Sequence, residues 1–582
     1  MLPPLEKRLA WVLVLSTLVA YGWFFHFHDR WPNPNETTRL YSSISMAENG
    51  DFTINRQIDR YGVIWDRAER QGKLYSDKAP GLSFAAAAPL WVAAQAGRLF
   101  KANVTLALKH WVARFFCVVL PSALFMAVLF LYLRRFLPDP YVRAGLVFVY
   151  AHGTVAATFS TLFFGHQPSA IMLFCAFIAV ERMVEGSALS SLNLFALAAL
   201  AGLLMGCAFI TEYPTALASA CVFVYALAAL RKRAPLAATV LAGLVPVAAW
   251  LLYNKICFGS PFSVGYSHLD SPEFSKVHAK GFLGVGLPSA AAFGGTFLGP
   301  QRGLFFFSPV CLFGFVGLWS LVAGGRRRHA VLVGGIALAY AYLTSAFGYW
   351  ISGDVVGPRH LTPLIPFLMI PAAMLLDRTV REGDRITMTL FTATAVVSVL
   401  ITTASTIPFP FFPTPFVNPF RDLAIAFWRE GIIPYSAGRL VGLKGIYAAA
   451  PYLLFFFMLF TAALFWLTHR EHPAGAMNRA PTGRLSIAWR AGVLARALPV
   501  VCLWMAVVLN SVPSQVKEMT WGEQRRTLAL YDPAGEDLHS LRTAAAATRP
   551  PGALKGQVFA AAGRTDDALE IYRWMNAPQR RK

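Results

Sequence analysis

Gly81-Leu82-Ser83-Phe84-Ala85-Ala86-Ala87-Ala88-Pro89-Leu90-Trp91-Val92-Ala93-Ala94-Gln95-Ala96-Gly97 is apolar, uncharged, rich in alanine and interrupted by one proline. It is short for a bilayer crossing, so it either spans or lies re-entrant at the interface. That choice sets the sidedness of every segment after it, and the basic residues arbitrate. If the stretch does not cross, Arg134-Arg135, Arg231-Lys232-Arg233, Arg326-Arg327-Arg328 and the run Arg378 to Arg385 fall on the same side as Lys7 and Arg8. If it crosses, all of them face outward, against the positive-inside rule. The non-crossing reading gives about thirteen spans, with the N-terminus in the cytoplasm and the C-terminus outside.

Composition supports a membrane domain. Of 582 residues 56% are hydrophobic and only 14% charged, and mean hydropathy is +0.50, whereas soluble domains carry roughly 25% charged residues. A soluble globular class is excluded. The excess of 52 Lys+Arg over 30 Asp+Glu sits between apolar runs, so it describes orientation and not a nucleic-acid partner. Of the seven cysteines, Cys117, Cys175, Cys207, Cys221, Cys311 and Cys502 lie in or beside apolar stretches and Cys257 reads as loop-borne. We expect no disulfide framework and no thiolate metal site.

The expected spans begin with a signal anchor from Leu9 to Phe27. They continue near Phe115 to Leu133, Ala144 to Leu162, Ser169 to Val180, Ala188 to Thr211, Tyr213 to Leu230, Ala234 to Asn254, Gly303 to Gly325, Ala330 to Trp350, Leu361 to Leu376, Ile386 to Ser405, Ile446 to Thr468 and Ala497 to Val512. Residues 1–512 thus form one all-α polytopic domain. Its polar loops share the outer face: a first loop over 28–110 with juxtamembrane segments, Gly165 to Pro168, the turn at Glu212, a long loop over 254–303, and Ser352 to His360. A Pro/Phe-rich stretch from Ile407 to Arg439 lies there too. Residues 513–582 read as a small helical outer tail, in which Gln557 to Trp574 makes two short helices.

The first loop carries Asn33-Pro34-Asn35-Glu36-Thr37-Thr38-Arg39, then Asp59, Asp66 and Tyr75-Ser76-Asp77-Lys78-Ala79-Pro80-Gly81. A carboxylate at the mouth of a membrane domain serves as general base for an acceptor hydroxyl, and a lysine beside it neutralises a phosphate. That pairing suits transfer from a phosphorylated lipid. On spacing alone an equal alternative stands: Glu36 caps a helix starting at Thr37 or Thr38, and Lys78 snorkels to the interface.

An acidic residue just after the first span, followed by a Lys-x-Pro element leading into a juxtamembrane apolar segment, resembles the GT-C glycosyltransferases, in the branch of the protein mannosyltransferases and aminoarabinose transferases. The resemblance covers roughly the first third of the chain well and the rest by topology. It implies a GT-C-like bundle, a sugar donor on a polyprenyl-phosphate carrier, an acceptor that is lipid, polysaccharide or protein, and transfer with inversion outside the cytoplasmic membrane. It also implies that Glu36 is the base and Lys78 meets the carrier phosphate. The family pattern more often has Asp, frequently beside a second acid, where this chain has Asn35-Glu36, and Lys-Pro-Pro-Leu where it has Lys78-Ala79-Pro80-Gly81. Asp77 and Asp59 therefore stay candidates for the acid.

Other outer loops supply further candidates for binding substrate. His166, in Phe164-Gly165-His166-Gln167-Pro168, stands where relatives place another acid; it bonds acceptor or phosphate, or is a satisfied helix cap. Glu212, in a tight turn between spans, holds the acceptor, orients an arginine, or is an interfacial turn residue. Arg302 before Gly303 approaches a phosphate bidentately or anchors a span to headgroups. Tyr349 to His360 concentrates aromatic, glycine, acid, arginine and histidine; from it we expect Arg359 at the phosphate or sugar, Asp354 orienting it or binding sugar hydroxyls, and His360 among the substrate-binding residues. No metal site is assigned, although His166 with Glu36 leaves a divalent ion open as cofactor. No Walker A loop, Gly-x-Ser-x-Gly elbow or His-Glu-x-x-His motif competes. A transporter or lipid flippase is one alternative; it would need paired charges within spans and related halves, whereas few ionisable residues fall mid-span and no internal repeat is evident. A non-catalytic envelope scaffold is the other alternative, favoured by a degenerate acidic motif.

Overall fold

The computed structural model describes residues 3–26, 33–186, 190–230, 233–412, 414, 416–429, 431, 433–443, 445–469 and 482–512. The tail 513–582, the start of the first loop at His28 and the pair Arg231-Lys232 lie outside the described residues.

The chain is an all-α polytopic bundle. Among the described residues nine helices are long and apolar enough to cross a membrane, or ten if the bent pair Pro140–Gly153 and Val155–Thr161 is one crossing. The remaining expected runs are also helical. Pro4–Trp23 carries Glu6, Lys7 and Arg8 in its first turns, while Thr215–Ala229 and Pro309–Ala323 are apolar but shorter. Many apolar side chains on these helices, such as Trp11, Leu241, Val331 and Leu338, are exposed, as lipid-facing positions of a membrane protein must be.

One helix marks both ends of the bundle. His166–Glu185 has 20 residues, about 30 Å at 1.5 Å per residue, close to the hydrocarbon thickness. Near its C-terminus Glu181 is buried. It accepts hydrogen bonds from Tyr132 Oη at 2.5 Å and Arg135 at 2.8 Å, and lies 2.5 Å from His329 Nε2. At this same end Glu6 pairs with Arg143 at 2.9 Å and Arg134 at 3.4 Å, and Arg326 covers the Phe136 ring. The first residues of the chain and the basic turns after Leu133 and before Arg327 therefore share one side. His166, at the helix N-terminus, lies at the other.

The opening stretch stays at that other end. Pro4–Trp23 runs from the basic end, and Leu106–Leu133 returns to it; Arg114 NH1 of the returning helix donates to Phe24 O at 3.0 Å and Thr161 O at 2.9 Å. A single crossing in between would leave the count odd. Gly81–Leu99 accordingly forms a helix that packs against Pro34–Asn49 and Leu106–Arg114 without changing sides, and Pro89 within it leaves the Ala85 carbonyl without its intrahelical donor.

Three expected boundaries move, each for a local reason. The span expected from Phe115 begins at Leu106, because the charged Lys109, His110 and Arg114 are buried against partners, with Lys109 pairing with Glu48 at 2.5 Å. A π-turn at Phe115–Val119, closed by Leu120 N–H on the Phe115 carbonyl, comes just before Pro121, which has no N–H to continue the ladder. The span expected over Ala144 to Leu162 bends by 63° at Thr154, where Val155 N–H is taken by Ser308 Oγ at 3.0 Å. Cys257 lies buried in the last turn of Ala234–Phe258 and not in a loop. All seven thiols are free. Among the described residues two short antiparallel strand pairs occur, Phe24–Phe25 with Tyr435–Ser436 and Ala68–Arg70 with Lys73–Tyr75.

Candidate active site

The helix Pro34–Asn49 starts earlier than a cap at Glu36 would require. Asn33 is its N-cap, accepting from Asn35 N–H at 3.1 Å, and Pro34 occupies the first turn where no donor is needed. Asn35 and Arg39 are then i and i+4 neighbours. Arg39 Nε donates to Asn35 Oδ1 at 3.2 Å, NH1 to Ala79 O at 3.0 Å, and NH2 to Glu212 Oε1 at 2.7 Å. Ser43 and Ser83 hydroxyls both donate to the Arg39 carbonyl. This buried guanidinium ties the first loop, the Lys78 element and the turn at Glu212 into one unit.

Lys78 sits in that unit between two acids. Its Nζ is 2.7 Å from Asp77 Oδ2 and 2.9 Å from Asp66 Oδ2, with the Tyr266 ring 5.5 Å away. The two carboxylates raise its pKa although burial opposes them. Burial pushes Asp77 up to about 6, against the pull of Lys78, and Asp77 Oδ1 has no partner. Glu212 is likewise raised by burial, offset by Arg39, Arg359 and Lys78, all within electrostatic reach.

His166 Nδ1 lies 3.7 Å from Glu212 Oε2, and its ring is 5.4 Å from that of His360. His166 Nε2, both ring nitrogens of His360 and Arg359 Nε are buried without a hydrogen-bond partner. Gly165 permits this closeness: a Cβ there would stand 2.6 Å from Glu212 Oε1 and 2.7 Å from Thr211 O. Asp354 is half-buried; its Oδ1 accepts from Thr414 N–H at 3.1 Å, and burial raises its pKa to about 6 against the pull of Arg302.

The structure thus brings together Asp77, Lys78, His166, Glu212, Arg359 and His360, with Asp354 and Arg302 alongside. Arg302 differs from its expected part. Its guanidinium donates to the carbonyls of Ile351, Gln301, Gly353 and Phe412 at 2.8–3.0 Å, so it clamps the loop that bears Asp354. Ser352 and Gly353, at φ +58° and +78°, turn those carbonyls toward it. Glu36 is not brought to Lys78. It is buried where Oε1 accepts Phe163 N–H at 2.5 Å and lies 3.6 Å from His110 Nε2. Asp59 is exposed on the helix Asn55–Tyr61. Arg39, Tyr266 and Asp66 belong to the assembly but have no role assigned from sequence, Asp66 being named there only as a first-loop acid; His110 joins Glu36 instead. Among the described residues no three His, Cys, Asp or Glu side chains group as a metal site.

No family model and no curated protein matches the chain. Solved structures do. ArnT from Cupriavidus metallidurans in the apo state is 16% identical, over 84% of this chain and 76% of that one, with a TM-score of 0.45. The same protein bound to undecaprenyl phosphate is 17% identical over 86% and 77%, with a TM-score of 0.44. The Archaeoglobus fulgidus oligosaccharyltransferase in its apo form is 11% identical over 73% and 58%, with a TM-score of 0.38.

Proposed function

We propose that the chain is an integral membrane glycosyltransferase. It moves a sugar from a polyprenyl-phosphate carrier to a lipid, polysaccharide or protein acceptor outside the cytoplasmic membrane, with inversion at the anomeric carbon. The observation that carries this reading is Lys78, a buried cation held between Asp66 and Asp77 at one end of an apolar bundle, with Arg359 and Lys78 both within electrostatic reach of Glu212. Without donor, the two carboxylates stand where a phosphate would; a phosphate entering between Lys78 and Arg359 displaces Asp66, the more exposed partner. Fixed cations then hold the charge that grows on the leaving polyprenyl phosphate.

The acceptor needs a base. Asp354 suits that part better than Glu36, because it is only half-buried and its pKa of about 6 lies near the working range of a general base. It takes the acceptor proton as the acceptor oxygen or nitrogen bonds to the anomeric carbon and the carbon–phosphate-oxygen bond breaks. Glu36 acts as a positioning residue through the Phe163 amide.

The test is transfer by purified protein in nanodiscs from a panel of radiolabelled polyprenyl-phosphate sugars to a cell-envelope extract. Asp354→Asn is expected to lower the rate by about 10²–10⁴-fold with donor binding kept, and Glu36→Gln by less. Wild-type transfer by Asp354→Asn would remove it as base, and complete loss in a folded Glu36→Gln would return the role to Glu36. No transfer from any donor by folded wild type would overturn the reading itself.

A further inference from the structure

We infer that the segment Gly281–Ser289 is a lip seated in the lipid leaflet on the polar-cluster side, its apolar side chains among acyl chains and its flanking lysines on anionic headgroups. This does not depend on sugar transfer.

The lip is stitched to the end of a span. Gly286 N–H donates to Ala346 O at 2.9 Å, Ser289 N–H to Ser345 O at 2.8 Å, and Gly348 N–H to Gly284 O at 2.9 Å, all at the C-terminal end of Arg327–Ala346. Tyr342 fixes which face it covers. Its hydroxyl donates to Gly286 O at 3.3 Å, while its ring and Leu338 one turn earlier are exposed on the flank of the span. An uncovered flank of a membrane span faces lipid, and a tyrosine near its end sits at headgroup level. Gly286 is therefore at the membrane boundary.

Phe282 and Leu287, on either side, are 80% and 88% exposed. Large apolar groups so fully presented at that depth are stable in acyl chains and not in water. Backbone groups entering an interface must be satisfied within the protein. Those of the lip largely are: Phe282 and Val285 exchange both N–H···O bonds at 3.0 Å, and Gly284 N–H donates to Lys280 O at 2.9 Å. Charge points the same way. Lys276 and Lys280 are exposed just before the lip, and no acidic residue occurs from Lys276 to Arg302, so nothing there repels anionic headgroups. The lip also reaches the polar cluster: Val285 pairs with Phe347, whose ring is 5.9 Å from that of His360. Seating the lip would set the height of the cluster above the bilayer.

The test places the photo-crosslinker p-benzoylphenylalanine at Phe282 or Leu287 of the full chain. The protein is reconstituted in vesicles of phosphatidylcholine and phosphatidylglycerol, irradiated, and its adducts are read by mass spectrometry. Leu338 serves as the lipid-facing control and Arg56, exposed in the first loop, as the water-facing one. Phospholipid adducts at 282 and 287, as at 338 and not at 56, are the expected result. Adducts at 338 but none at 282 and 287, or adducts there with protein only, would overturn the inference. Lys276→Glu with Lys280→Glu is expected to cut the phosphatidylglycerol share of adducts by about fivefold or more; an unchanged share would overturn the headgroup contact.

Discussion

Arg39 and Glu212 form an ion pair with both groups almost fully buried, and such a pair is costly to break from one side because the other charge stays desolvated. Arg39→Leu is expected to destabilise the protein by about 3–5 kcal/mol, and adding Glu212→Gln should recover most of it; thermal unfolding in detergent reads both. If the double variant is no better than the single, the pair is not what Arg39 holds. Lys78→Met should weaken donor binding about 10- to 100-fold, the worth of a charge-assisted bond, and unchanged affinity would remove Lys78 from the phosphate. Because Lys78→Met strands Asp77, the comparison is made with Asp77→Asn in the same chain. For Asp354 the sign is opposite to that of a surface acid. Its pKa rises from 3.8 to about 6 on folding, so the folded chain favours the protonated form and loses stability as pH rises through that window. Asp354→Asn should melt higher than wild type above about pH 6 and equally near pH 4, while wild-type transfer rises through about pH 6. A flat pH–rate profile across that window would exclude Asp354 as the base.

At the scale of elements, the helix Gly81–Leu99 is held at its first residue. A Cβ on Gly81 would meet Thr211 Oγ1 at 2.5 Å and Ile210 O at 2.8 Å, so the helix start, three residues after Lys78, packs directly on the turn that bears Glu212. Gly81→Ala is expected to cost about 1–3 kcal/mol by overpacking and to lower transfer, whereas Ala88→Leu, at an exposed position of the same helix, should stay within about 0.5 kcal/mol. Equal effects would mean that helix propensity and not the contact matters. The apolar run made this helix legible, but the beginning of Leu106–Leu133 was not. Lys109, His110 and Arg114 look like the end of a run until their partners Glu48, Glu36 and the Phe24 and Thr161 carbonyls are in place. Charges satisfied by distant residues carry no local mark of being inside a helix bundle.

For the whole molecule, the His166–Glu185 helix separates a basic end from the polar cluster, and the chain start shares the basic end. Cysteines introduced in a cysteine-free chain at Arg56 and Ser275 should react with a membrane-impermeant maleimide on intact cells, and one at Arg327 only after permeabilisation. The reverse pattern would place the cluster in the cytoplasm and end the proposed use of an external acceptor. The expected sidedness rests on basic residues grouped between apolar runs, a pattern that acts through the bilayer on each segment separately.

Hydropathy and charge are properties of short stretches, so the sequence by itself determined a polytopic helical protein and pointed to a juxtamembrane Gly81–Gly97 and to polar loops sharing one side. It also marked Lys78, Glu212, His166 and Arg359 as residues of those loops. Which of them meet is a matter of packing between segments up to several hundred residues apart, and that only the tertiary structure decided. Arg39 is joined to Glu212, Arg302 is spent on four carbonyls, and Glu36 is turned to the Phe163 amide while Asp354 stays half-open. A side chain's partners depend on where distant backbone arrives, and spacing along the chain carries no record of that.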